Sequence, residues 1–110
     1  MTTRAGAFAD GREADEIIER LGLEPLPIEG GRWAVAWRDE AISAIYFLVR
    51  PGDFSALHAL TVTELWHHYD GAPAQMVLLG PGGSVDRPVL GPDLAAGQRP
   101  FVGVRPGVWM

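Results

Sequence analysis

An all-β barrel or double-sheet jelly roll with one short N-terminal α-helix is the fold class that this 110-residue sequence predicts, on three observations. Apolar residues recur at helical spacing once, early in the chain. About seven short apolar or alternating segments follow, separated by Gly- and Pro-rich turns every eight to twelve residues or so, which is the rhythm of antiparallel strands. Nothing between them has the length and period of a crossover helix, so a parallel α/β architecture is excluded.

Residues 1–12 are small and Gly-rich and are expected to form a flexible N-terminus, leaving 13–110 as one domain with one core. Ile17, Ile18 and Leu21 recur at helical spacing opposite Asp15, Glu16 and Glu19, and Gly22 stands where a C-terminal cap belongs, which predicts a helix over 13–21. Pro25, Pro27 and Gly30-Gly31 then force an extended segment and a turn. Over 32–38, Trp33, Val35 and Trp37 alternate with Arg32, Ala34, Ala36 and Arg38, the period of a half-buried strand. Asp39-Glu40 makes a hairpin connection to an apolar strand over 41–50, which Pro51-Gly52 ends.

The stretch from Gly52 to Gly71 is expected to hold two short strands meeting at a tight connection. By strand alternation His58 and Leu60 share a face of the first, Glu64, Trp66 and His68 share a face of the second, and His67 and Tyr69 fall on the opposite face. Further strands are expected over 74–79, 84–90 and 100–105. They are linked by the loop Gly80-Pro81-Gly82-Gly83 and by a loop from Gly91 to Gly97, and Pro106-Gly107 turns into Val108-Trp109-Met110.

Composition excludes several functions. Hydrophobic residues make up 47% and charged residues 21% of the chain, ordinary for a folded domain and too apolar for disorder. A net charge of -5 with nine unclustered basic residues gives no footprint for nucleic acid. The absence of cysteine removes disulfides, thiolate zinc sites and cysteine nucleophiles. The longest apolar run, over 41–49, is far short of the roughly 20 residues that a membrane helix needs, and no signal peptide is read near Arg4, Asp10 and Arg12. A cytoplasmic chain that engages neither nucleic acid nor membrane is expected.

Candidate site residues come from the central stretch. An imidazole beside a carboxylate is the arrangement that takes a proton from a carbon next to a carbonyl, so His58 is a candidate base and Glu64 the group that orients it. Tyr46 carries the one hydroxyl on the preceding strand placed to act as a proton donor. Trp66 and His68, with His67 and Trp33, are candidates to line a pocket for a planar ligand. The same residues also serve as a buried hydrogen-bonded pair and as core filling, and both readings stand at this point.

The spacing of Gly52, His58, Glu64 and Gly71 resembles the first motif of the cupin superfamily. A closer resemblance is to a cupin-like domain family of unknown function. It is carried by Ile17-Ile18-Glu19-Arg20-Leu21-Gly22-Leu23-Glu24-Pro25, Glu29-Gly30-Gly31, Ala44-Ile45-Tyr46-Phe47-Leu48, Glu64-Leu65-Trp66-His67 and the run from Val89 to Pro100. The resemblance implies a small jelly-roll barrel that commonly dimerises, so a homodimer is expected. It also implies a longer segment after Gly31 and further strands beyond Met110, which makes the chain look like a shortened member.

Metal-binding cupins resemble one another in using three His and one Glu, and here Leu60 and Met110 stand at two of those positions. Only His58 and Glu64 remain, too few for tight transition-metal binding, so no metal and no cofactor is expected. The resemblance to cupin epimerases and isomerases suggests proton abstraction from a keto-sugar or polyketide-like carbonyl compound, with a small organic ligand as partner. A non-catalytic ligand-binding or interaction module is the alternative. A metal-dependent cyclase or oxygenase recruiting His67 or His68 is a further one.

Overall fold

The computed structural model describes residues 12–110, so the expectation for the N-terminus lies outside the described residues apart from Arg12. The described chain is mostly strand with a single α-helix, and it divides into two compact units, 12–56 and 57–110.

In the first unit, α1 spans Arg12–Leu21, one residue longer than the sequence predicts. Glu13 and Asp15 occupy its first turn, where the helix dipole favours negative charge. It ends in a Schellman motif: Gly22 takes φ 65°, the Leu23 amide donates to Ile18 O at 2.9 Å and the Gly22 amide to Glu19 O at 3.4 Å. Ala14 and Leu23 are buried. Arg50 Nη2 reaches Asp15 Oδ1 at 2.7 Å and so ties the helix to the chain that leaves the sheet.

Strands β1 (Glu24–Pro25), β2 (Arg32–Arg38) and β3 (Ser43–Leu48) form an antiparallel sheet in the order β1-β2-β3. The turn between β1 and β2 is held tightly, with Leu26 N donating to Gly31 O at 2.9 Å and Ala56 N to the carbonyl of Glu29. A Cβ on Gly30 would lie 2.4 Å from the carbonyl oxygen of Phe54, so only glycine fits there.

The β2–β3 pairing corrects one expectation. Val35 pairs with Ile45 but Trp37 with Ala44, so Ala36 is an extra residue on β2, a bulge. Paired residues share a face, so Trp33, Val35, Ile45 and Phe47 lie on one side, and Trp37 is turned to the other with Ala34 and Tyr46. The uninterrupted alternation expected for Trp33, Val35 and Trp37 fails at that single residue.

The hairpin connection is organised by Asp39. Its Oδ1 accepts from the amides of Ala41 at 2.8 Å and Ile42 at 2.9 Å, and its Oδ2 accepts from Trp37 Nε1 at 2.9 Å. These three bonds, the indole's foremost, hold the carboxyl below its ordinary pKa of 3.8.

The second unit is built from shorter pairs. β4 (Glu64–His67) pairs with β9 (Phe101–Val104), β5 (Ala74–Gln75) with β8 (Val89–Leu90), and β6 (Leu78–Leu79) with β7 (Val85–Asp86), all antiparallel. The strands expected over 74–79 and 84–90 are therefore each broken in two. Pro88 has no amide to donate, which interrupts the ladder there. Gln75 bridges the gap, with its Nε2 donating to Met76 O at 3.0 Å and Arg87 O at 3.1 Å.

The strand expected around His58 is also corrected. Residues 53–60 form no named strand, and β4 takes β9 as its neighbour. The His58 segment runs extended beside the end of the chain: His58 N donates to Met110 O at 3.0 Å and Met110 N to His58 O at 2.9 Å, while Gly107 N donates to Leu60 O at 2.8 Å. Trp109, on the other edge of that end segment, exchanges two bonds with Leu79 at 2.8 and 3.0 Å. Leu90, Val104 and Met110 are the buried apolar residues of this unit.

Candidate functional site

Strand β4 presents its side chains in strict alternation. Glu64, Trp66 and His68 are half-buried, while Leu65, His67 and Tyr69 are exposed, as period-two reading requires. Across the ladder Glu64 stands opposite buried Val104 and Trp66 opposite half-buried Val102, so the carboxylate and the indole share an apolar face with two valines. Glu64 Oε2 and Trp66 Nε1 are shielded from solvent.

His68 lies just past the strand. Its Nε2 stands 3.1 Å from Gly71 O and 3.4 Å from Ala72 O, and a carbonyl only accepts, so this nitrogen carries the proton and donates. The ring thereby braces the turn after β4, and in the neutral tautomer Nδ1 is left as an acceptor. His67 points the other way and lies against Phe101, with ring centroids 5.0 Å apart and planes tilted by 58°.

His58 is half-buried on the extended segment fixed to Met110, in the same unit as Glu64. Tyr46 and Trp33 lie in the other unit, Tyr46 opposite Ala34 on the exposed part of β3 and Trp33 half-buried opposite Phe47. The two units thus divide the sequence-predicted residues, with His58, Glu64, Trp66, His67 and His68 in one and Tyr46 and Trp33 in the other. A separate open cleft of about 180 Å³ in the second unit takes in Leu78, Asp86, Val104 and Arg105 and none of these residues.

Among the described residues no group of three or more His, Asp or Glu side chains gathers to hold a metal ion. Met110 contributes backbone bonds to His58 and its side chain is buried. The paired valines and the end segment beside His58 were not legible as partners of the site from spacing alone. Val108-Trp109-Met110 is uniformly apolar, so period-two reading carries no signal there, and the Pro106-Gly107 turn before it is the one local feature that sets the segment apart.

An all-β chain with one N-terminal helix, presenting a carboxylate and an indole on the half-buried face of a short strand, is of the cupin class. Residues 15–110 match the model of the Cupin superfamily (DUF985), and the chain belongs to that family. It is similar to the crystal structure of a protein from Shewanella oneidensis, at 36% identity and a TM-score of 0.81, over 87% of this chain and 65% of that one. It is likewise similar to a hypothetical protein from Leishmania major, at 27% identity and a TM-score of 0.81, over 87% of this chain and 66% of that one. The chain thus spans just under two thirds of the length of either. No curated protein matches it. No helix among the described residues is long and apolar enough to cross a membrane.

Proposed function

We propose that this chain binds a small organic molecule against the Glu64–Trp66 face of β4, and that His58 acts there as a base oriented by Glu64. The observation that supports the reading is the half-buried row of Glu64, Trp66 and His68, which sets a carboxylate and an indole side by side with two valines instead of filling the row with aliphatics. A flat indole suits a planar ligand, and a shielded carboxylate holds an imidazole in the tautomer that accepts a proton. In the catalytic form of the proposal, His58 takes the proton from a carbon next to a carbonyl, and the electron pair moves into the carbonyl to give an enolate. Reprotonation from solvent on the other face completes an epimerisation.

Native mass spectrometry of the protein as purified tests the binding step. A stoichiometric organic adduct is expected on the wild type and is expected to be lost in Trp66→Ala. A bare wild-type protein, or an adduct retained undiminished by that variant, overturns it. Once the adduct is identified, incubation in D₂O tests the chemistry: deuterium should enter next to the carbonyl with wild type and not with His58→Ala. Equal incorporation by both overturns the base assignment. A non-catalytic binding module is the second reading. It is favoured by the engagement of His68 Nε2 with the turn carbonyls, a bracing role instead of a reactive one.

A further inference from the structure

The open cleft of the second unit holds chemistry that the Glu64–Trp66 face does not use. It lies between the β6–β7 hairpin and the turn that leaves β9. Leu78, Val104 and Val108 supply its apolar lining. Val104 is buried and the other two are half-buried, so this lining sits deeper than the exposed Asp86 and Arg105 beside it. Asp86 is the register partner of Leu78, which places both side chains on one face of the hairpin, and Arg105 follows the last residue of β9 across the cleft.

Backbone bonds fix both walls. Leu79 and Trp109 exchange bonds of 2.8 and 3.0 Å, and Gly80 N donates to Ser84 O at 2.9 Å to close the loop between β6 and β7. Arg105 begins a tight turn in which Val108 N donates to Arg105 O at 3.3 Å. Its central positions hold Pro106 and then Gly107 at φ 80°, the pattern of a type II turn, and Gly107 N is tied to Leu60 O at 2.8 Å. The two charged side chains, by contrast, are left unused. Among the described residues neither Asp86 nor Arg105 enters a hydrogen bond or an ion pair through its side chain. An acid and a base thus border one apolar cleft without neutralising each other, on walls that need no reordering to receive a ligand.

We propose that this cleft binds an apolar α-amino acid as its zwitterion, with Arg105 taking the carboxylate, Asp86 the ammonium, and Leu78, Val104 and Val108 the side chain. Charge of both signs selects this class. A lone anion such as phosphate would be repelled by Asp86, and a lone metal cation by Arg105. A guanidinium matches a carboxylate through two parallel bonds, and a carboxylate accepts from an ammonium. Size narrows the class further. The cleft, about 180 Å³, is smaller than the sites of drug-sized ligands, which start at roughly 300 Å³, whereas a cavity of about 150 Å³ accepts benzene. Valine or leucine is of that size, and a nucleotide or a disaccharide is not.

Titration of the isotope-labelled full chain with L-leucine, followed by amide chemical shifts, tests the proposal. Saturable shifts at residues 78–80, 86 and 103–108 are expected, with a Kd of about 1 mM or below. Isovalerate, which lacks the ammonium, and isopentylamine, which lacks the carboxylate, should each bind at least about tenfold more weakly, and so should glycine, which has nothing to set against the apolar lining. Arg105→Gln and Asp86→Asn should each weaken leucine binding by at least about tenfold. Both residues are exposed, so amide shifts away from the cleft should stay as in the wild type. The absence of saturable shifts up to about 20 mM leucine overturns the proposal. So does isovalerate binding as tightly as leucine, which would make this a plain anion site, or leucine shifts confined to the Glu64–Trp66 face.

Discussion

The two units solve the problem of strand placement in opposite ways. The first has a long ladder with a single bulge, seven residues of β2 against six of β3, whose outer half is exposed on both faces. The second has one four-residue ladder, β4 with β9, and two-residue pairs broken at Pro88 and bridged by Gln75, yet it encloses Leu90, Val104 and Met110. Ladder length is set by local apolar and β-branched composition, whereas burial is set by what lies against the faces. A long strand is therefore no evidence of a core, and a short one is no evidence against it.

Paired substitutions break or sharpen that contrast, and the largest effect belongs to the short-stranded unit. Val104 is 2% exposed. Val104→Asp buries an unpaired carboxylate and should cost more than about 3 kcal/mol, a large part of the stability of a domain of this size, whereas Ile45→Asp on the long hairpin should stay within about 0.5 kcal/mol in the monomer. Urea titrations of the two variants read both values, and equal losses would erase the contrast.

Next in size is Gly30→Ala. It forces a Cβ onto the Phe54 carbonyl oxygen at φ 92°, and backbone cannot swing aside as a side chain can, so a loss of about 2 kcal/mol or more is expected by the same titration. The smallest effect is that of pH on the hairpin tip. The Asp39 carboxyl titrates below its ordinary value of 3.8, so its contribution to stability is fully present above that pH and is lost as pH falls through the lower, folded value. Carboxyl chemical shifts followed down an acid titration should place Asp39 below the other aspartates, and Trp37→Phe, which removes the leading hydrogen bond, should bring it back toward them.

Much of the fold was legible because its signals are local. Gly22 marked the helix end, the loop from Gly91 to Gly97 was found between β8 and β9, and the half-buried row on β4 followed from alternation alone. What was not legible depended on distant partners. Nothing near His58 says that its neighbour is Met110 and not β4, since that pairing joins segments about fifty residues apart and is decided by the whole unit's packing. The bulge at Ala36 was hidden for another reason: alanine fits either face, so the alternation of the tryptophans reads as unbroken. The division of the candidate residues between two units, with Tyr46 in one and His58 in the other, is likewise a property of tertiary structure and leaves no trace in spacing.

The bulge also bears on how relatives of this chain are to be compared. One residue at position 36 decides which side of the hairpin carries an indole, so a relative lacking it would have the same tryptophan in the aligned column and a different surface. Column identity there is not chemical identity. An insertion or deletion of one residue, ordinarily dismissed as loop noise, is at this point in the chain a change of face, and with it of whatever the hairpin can touch.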